Sequence, residues 1–449
     1  MVSSHLAAWM NGELVGRWAV ERGTHRFTYD EAWLRSPRCR ALSLSLPITP
    51  GRELRGPAVQ NYFDNLLPDN ERIRQRLQRR FKTGSADAFA LLEAIGRDCV
   101  GAVQLLPDGT PPTGWDRIDS EALSEAQVAA TLRAVPSEAV LGQAEDDETF
   151  RISLAGAQEK TALLRHHGRW HRPLGATPTT HILKLPLGLV GGSRRVDLGD
   201  SVENEWLCAL VLHHLGLPVA PAEIWRFEDQ KVLAVTRFDR AWQQEAGGHE
   251  WIARLPQEDF CQALGQAPSR KYEKDGGPGI ADCLRLLAGS REPQDRARFA
   301  LTQLAFWLMA ATDGHAKNYS LFLHPGDAYV MTPLYDVLSI FPYMGDAANQ
   351  FRWRKAELAF ALRAKNVHYQ LHSQQPRHWH ALAMQAGGTP VWARMLEQVA
   401  RVGPALDAVE HHLPADYPPR TWQAISSGMR AQAARFEAGL EKLPFGSNQ

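Results

Sequence analysis

The sequence predicts an α+β protein in three stretches: a small mixed segment, a strand-rich segment and a long helix-rich segment. Two patterns carry this reading. From Thr149 to about residue 255, short apolar runs punctuated by turn residues read as strands, and beyond it helical periodicity takes over. A third observation sets the first boundary: the stretch 108–120, with Gly109, Pro111, Pro112 and Gly114, reads as a linker. The expected organisation is 1–110, a linker and helix over 111–148, a strand-rich lobe over 149–255 and a helical lobe over 256–449.

The elements follow in order. Leu6 to Met10 and Glu13 to Trp18 flank Asn11-Gly12, the strongest two-residue hairpin signal. Arg26 to Tyr29 and Ala41 to Leu46 alternate like strands. Helices are predicted from Val59 to Leu67, stopped near Pro68, from Asn70 to Phe81, and from Asp87 to Gly96, with a strand at Val100 to Leu106. The arginine-rich 70–81 helix reads as a solvated face or as a contact for a partner or nucleic acid. Glu121 to Leu141 is expected to be mostly helical. Strands are predicted at Phe150 to Leu154, Lys160 to Arg165, Arg169 to Arg172, Thr180 to Leu185, Glu223 to Phe227 and Lys231 to Arg237. Ser201 to Leu215 is an amphipathic helix closed by Gly216 and Pro218. Later come helices over 257–264, 279–287 and 293–312, a hairpin over 320–331, and helices over 378–386, 389–402 and 420–441.

Composition excludes some classes. Lys plus Arg and Asp plus Glu both number 50, so the surface as a whole is neither a nucleic-acid nor a membrane glove. Cys39, Cys99, Cys208, Cys261 and Cys283 form no C-x-x-C pair, which suits a reduced cytoplasmic protein without a zinc ribbon. No signal-peptide pattern opens the chain, and its apolar runs are too short for a membrane span.

The chemistry concentrates in two places. Asp313-Gly314-His315-Ala316-Lys317-Asn318 puts an acid five residues before an amide, and Leu334-Tyr335-Asp336 brings a second acid eighteen residues after the amide. Protein kinases use that order for a base, a metal-binding Asn and a metal-binding Asp. Asp313 is the candidate base, and Asn318 and Asp336 are oxygen ligands suited to Mg²⁺. Lys317 either adds positive charge at a γ-phosphate or faces solvent, and His315 either orients and packs or takes a chemical part. Lys184, between Leu183 and Leu185, is either a phosphate-pairing lysine or an edge-strand lysine facing water. Ser153 to Lys160 has small residues where a phosphate-covering loop needs them, yet it matches neither glycine-rich phosphate signature, and alone it reads as a turn. The whole order, strand-rich then helix-rich, resembles a two-lobed kinase: a strand-rich N-lobe carrying an extra N-terminal mixed subdomain, and an all-helical C-lobe.

Taken together these segments resemble the HipA family. Ile152 to Thr161 looks like its phosphate-loop signature, Thr312 to Asn318 like its catalytic loop, and Leu334 to Asp336 like its metal-binding motif. Thr236 to Arg240, Arg254 to Asp259, the opening hairpin and Tyr62 to Pro68 also resemble HipA segments. The resemblance implies a serine/threonine-protein kinase toxin of a type II toxin–antitoxin system. It implies ATP and Mg²⁺, a HipB-like helix-turn-helix antitoxin, operator DNA reached mainly through that antitoxin, and a protein substrate such as glutamyl-tRNA synthetase. Carried onto this sequence, Ala155, Gly156, Ala157, Gln158, Glu159 and Lys160 cover the phosphates, and Lys184 pairs with them. Arg237, Phe238 and Asp239 form an adenine-facing hinge; His315, Ala316, Lys317 and Asn318 line the nucleotide with Tyr335 and Asp336. Ser153 matches an autophosphorylated serine, whose dianionic phosphate would repel those of ATP. Glu203 or Glu205 is available to lock Lys184, and 241–250 and 272–280 carry no distinctive motif. The alternatives are a corepressor partner of the antitoxin with little kinase activity, and a kinase-fold small-molecule phosphotransferase.

Overall fold

Asn11-Gly12 turns the chain as the dipeptide predicts, with φ of 43° and 80°, the left-handed pair that matches strand twist. The computed structural model describes residues 5–136, 158–190, 195–245 and 247–441. The hairpin grows into a five-stranded antiparallel sheet in the order Glu53–Arg55, Thr24–Tyr29, Glu13–Glu21, His5–Met10, Val103–Pro107. Helices Pro57–Asp64 and Ala88–Ile95 cover it, and Trp18 stacks on Phe63 with centroids 3.9 Å apart. The strand expected at 41–46 is absent. Only a Ser43–Leu46 bridge forms, because the Tyr29 hydroxyl accepts from Leu42 N (2.7 Å) and donates to Leu46 O (2.5 Å), so a side chain replaces a strand partner.

A second sheet has six strands in the order Ala222–Phe227, Gln230–Thr236, His181–Lys184, Lys160–His166, Arg169–Pro173, Ser120–Ala122. Helix Glu125–Ala134, started by a capping box between Ser124 and Gln127, buries Val128, Ala129 and Leu132 against Leu163, Leu183 and Val232. The helix is shorter than expected, and Ser120–Ala122, expected to close the linker and open the helix, is an edge strand. The predicted strand at 150–154 lies outside the described residues. The helix expected at 257–264 is split: Gln257–Asp259 pairs with Ser320–Leu323, and Asp259 then caps the short helix Phe260–Ala263.

The chain divides into two compact units. One comprises the residues up to Leu185 with Trp225–Lys271 and Ser320–Thr332; the other comprises Pro186–Ile224, Tyr272–Tyr319 and the residues from Pro333 onward. The second unit holds seven helices among its described residues: Ser201–His214, Ile280–Leu287, Asp295–Met309, Pro376–Ala386, Thr389–Ala400, Val402–Glu410 and Pro419–Leu440. Asp295–Met309 is buried almost throughout. The expectation of an all-helical C-lobe needs correction, since Glu357–Arg363 and Val367–Gln370 form a hairpin there. Its first strand runs apolar without alternation because both faces are buried from Leu358 to Leu362. No described helix is long and apolar enough to cross a membrane.

Candidate active site

Helix Asp295–Met309 delivers the Asp313 loop. Ala310 takes the left-handed conformation (φ 49°) and Ala311 N bonds back to Phe306 O at 2.8 Å, which ends the helix. The Ser339 hydroxyl donates to Met309 O (2.6 Å), and Ile340 N to Ala310 O (3.1 Å), pairing carbonyls that the helix end leaves open. Gly314 then passes so close to the helix that a Cβ on it would lie 2.3 Å from the Phe306 ring.

The loop is closed on itself. His315 N donates to Asp313 O (2.8 Å), Asn318 N to His315 O (2.9 Å) and Asn318 Nδ2 to Asp313 O (2.8 Å). The five-residue spacing therefore lets the Asn318 amide nitrogen brace the Asp313 backbone while its oxygen stays available as a ligand. Asp313 is exposed, whereas His315, Ala316, Lys317 and Asn318 are buried. The Tyr335 hydroxyl donates to Lys317 O at 2.9 Å and so ties the second motif to the first. Leu334 bridges Val219, with Leu334 N on Pro218 O and Ala220 N on Leu334 O, both 2.8 Å. The next residue but one, Asp336, is half-buried and held at φ 61°, a region that non-glycine residues rarely occupy and that gathers at functional sites.

In the other unit, Lys184 lies on an inner strand, flanked by Lys160–His166 and Gln230–Thr236, and only 6% of it is exposed. Of the two readings open to Lys184, the edge-strand one is therefore removed. Lys160 stands directly opposite it in the register, on the same sheet face. Gln158 Nε2 donates to Leu185 O (2.6 Å), Leu185 N donates to Glu159 O (3.1 Å), and the Glu159 carboxylate pairs with Arg76 from helix Glu71–Phe81. Ser153, Ala155, Gly156 and Ala157 lie outside the described residues.

Arg237 and Asp239 are engaged elsewhere than expected. Arg237 donates to both Asp239 oxygens (2.9 and 2.8 Å), to Thr179 Oγ1 (2.9 Å), to Cys99 O (2.8 Å) and to Asp98 Oδ2 (3.3 Å). Arg240 and Arg254 also reach Asp98 Oδ1, at 2.8 and 3.2 Å, and Gly101 N donates to Asp239 at 2.7 Å. Burial alone would raise the Asp98 carboxyl, but Arg240, Arg237 and Arg254 hold it well below its ordinary range. Burial pushes Arg254 down to about 10, against the pull of Asp98. The polar side chains of the predicted hinge are thus internal ties, leaving half-buried Phe238, edge-on to Phe322 at 5.7 Å, and the backbone for any ligand.

Comparison with known proteins decides the family. A profile of the HipA-like C-terminal domain matches residues 152–407, and one of the HipA N-terminal domain matches residues 6–106. The chain belongs to the HipA family. A putative kinase, Y4mE, of Sinorhizobium fredii is 34% identical over 346 residues, covering 75% of this chain and 78% of its own. A serine/threonine-protein kinase toxin HipA of Shewanella oneidensis is 30% identical over 367 residues, covering 76% and 75%. The solved complex of Shewanella oneidensis HipA, HipB and operator DNA matches with a TM-score of 0.79 at 22% identity, over 99% of this chain and 100% of that one. The expected α+β, kinase-like fold is the fold of this HipA chain.

Three contacts in this HipA-family chain escape a reading of the sequence because each spans distant residues. Asn204, between Glu203 and Glu205, donates to Ser339 O (2.8 Å) and accepts from Ser339 N (2.9 Å), fixing the segment that follows Asp336. Asp98 anchors the arginine cluster. Tyr272, in a stretch without a motif, donates its hydroxyl to Asp313 Oδ1. Among the described residues His166, His167 and Glu250 form a trio able to hold a metal; it shares no member with Asn318 and Asp336.

Proposed function

We propose that this HipA-family chain is an ATP-dependent serine/threonine-protein kinase, the toxin of a type II toxin–antitoxin pair. The observation that carries the reading is the self-braced Asp313–Asn318 loop with Tyr335 tied to it. Asp313 is solvent-exposed on a fixed loop, where it can take the proton of an incoming hydroxyl. Asn318 Oδ1 and the Asp336 carboxylate are oxygen donors, a set that suits Mg²⁺, and the amide nitrogen of Asn318 is already engaged on the Asp313 carbonyl. When bound, MgATP supplies the phosphoryl group. The Lys160–Lys184 pair favours the phosphates, and buried Lys317 adds positive charge next to the loop. Gln158 and Glu159 hold the exit of the phosphate loop, Phe238 and the main chain around it meet the adenine, and His315 to Asn318 line the nucleotide.

The acceptor is a protein hydroxyl, with a translation component such as glutamyl-tRNA synthetase the leading candidate. Phosphate on Ser153 would silence the chain by repelling ATP. A HipB-like antitoxin is the partner and the route to operator DNA; the named Shewanella complex supports it, as the even charge balance supports indirect contact. A cytoplasmic setting follows from these partners. The test is label transfer from γ-labelled ATP with Mg²⁺ to the chain itself and to a cell extract. Asp313→Gln is expected to lower transfer by about 10²-fold or more and to abolish growth arrest on expression. A variant that labels as wild type removes Asp313 as the base.

A further inference from the structure

The side chain on the Asp313 carboxylate belongs to neither loop motif. The Tyr272 hydroxyl donates to Oδ1 from 41 positions upstream. Its half-buried ring meets His315 edge-on, with centroids 4.9 Å apart at 83°.

This phenol is placed by a pinned turn. Asp275 N and Gly277 N close back on Tyr272 O at 3.1 and 3.0 Å. The neighbouring Glu273 is buried and anchored to the Glu357–Arg363 strand: its carboxylate accepts from Ala361 N (2.8 Å) and from Arg363 Nε (3.1 Å). Gly279 packs on that anchor so tightly that a Cβ would sit 2.8 Å from Glu273 Oε1. Two constraints thus meet at Tyr272, one through its backbone and one through its ring.

A carboxylate swings readily about its last torsion, which has broad, two-fold preferences. A base must present one oxygen to the acceptor, and small misplacements cost rate steeply. The geometry points to Tyr272 as a positioning residue for phosphoryl transfer: it holds Oδ1 so that Oδ2 faces the acceptor hydroxyl. This rests on the reading of Asp313 as the base. In the step, the acceptor proton passes to Oδ2 while the acceptor oxygen bonds to the γ-phosphorus. The bond from that phosphorus to the β,γ-bridging oxygen breaks, and ADP leaves with the electron pair. Tyr272 keeps its own proton throughout. The hairpin from Glu357 to Gln370, which carries no catalytic group, becomes the support of the base through Glu273.

The test uses the full chain, γ-labelled ATP with Mg²⁺, and dephosphorylated casein as acceptor beside the chain itself. Tyr272→Phe is expected to lower kcat about ten-fold, with KM for ATP and affinity for a fluorescent ATP analogue within two-fold of wild type. In an Asp313→Gln background the same substitution adds no further loss. Glu273→Gln, which loosens the turn and keeps the phenol, is expected to lower kcat less, again without moving nucleotide affinity. Transfer by Tyr272→Phe at the wild-type rate or faster overturns the inference, as does a parallel rise in KM for ATP. A wild-type chain that transfers no phosphate overturns the kinase reading and this inference together, so the two failures are told apart before any variant is compared.

Discussion

Replacing Asp98 by Asn tests what the buried arginine cluster contributes. Asp98 accepts from Arg240 at 2.8 Å, Arg254 at 3.2 Å and Arg237 at 3.3 Å, and from Thr179 through both its amide (3.1 Å) and its hydroxyl (2.7 Å). Asp98→Asn leaves Arg237 and Arg240 with Asp239 as their carboxylate, takes from Arg254 the carboxylate it bonds, and turns an NH₂ toward donors. Removing one partner of a buried ion pair costs about 3–5 kcal/mol, and with three cations on one carboxylate the upper end applies. With a urea slope of about 2.5 kcal/mol/M, that loss lowers the midpoint by roughly 1.5–2 M. The assay is a urea titration followed by tryptophan fluorescence, with hydrogen exchange at Gly101, whose amide donates to Asp239. The exchange reading assigns the transition to the unit that holds the cluster. Asp98 is held below its unfolded value, so its contribution is full above the ordinary carboxylate range, about pH 4, and fades as pH falls further. Adding Arg254→Leu to Asp98→Asn is expected to recover part of the loss, because one orphaned cation is gone. A midpoint within about 0.3 M of wild type for Asp98→Asn refutes the reasoning.

Glu258 gives the opposite pH signature. Burial pushes its carboxyl up to about 8, against hydrogen bonds from Leu44 N and Ser43, so the folded chain keeps a proton that the unfolded chain releases above its ordinary value. The resulting penalty is absent near pH 4, grows as pH rises and levels off above pH 8 at about 5 kcal/mol. Glu258→Gln is therefore expected to raise the melting temperature at pH 8 and leave it unchanged near pH 4; an equal shift at both counts against a buried neutral acid. Gly314→Ala forces a methyl into the Phe306 ring and is expected to cost about 1–3 kcal/mol and to lower phosphoryl transfer more than nucleotide affinity. Calorimetry and label transfer check the two halves.

The sequence reveals what is local. The Asp313–Asn318 spacing is legible because the bonds that close that loop lie inside it, and the Asn11-Gly12 hairpin because both φ angles belong to the turn itself. What fails depends on distant partners. The family resemblance implies a ligand-facing hinge at Arg237 and Asp239, and nothing local contradicts it because the residues that bury them, Asp98 to Gly101, lie 138 and 139 positions away. Gln257 to Asp259 reads as the start of a helix because Ser320–Leu323, its strand partner, is out of any local window. The strand from Glu357 to Arg363 hides because a run buried on both faces loses the period of two that marks a strand. Tyr272 stands in a stretch whose importance comes only from the carboxylates at either end of its contacts, Asp313 and its neighbour Glu273.

The way one unit is assembled from three lengths of chain has a consequence for synthesis. Its early residues wait for late ones: Arg40 Nη1 donates to Leu323 O, 283 positions on, and Ala41 N to Asp327 Oδ1, 286 positions on. Translation at about 5–20 residues per second puts tens of seconds between the two. During that interval Arg40 and the backbone at 41 lack their native partners, and the strand at 257–259 has no neighbour at 320–323. The ribosome therefore releases this unit complete only after the Asp313 loop has been made. A nascent chain cut short anywhere before residue 320 is expected to lack the finished fold of this unit.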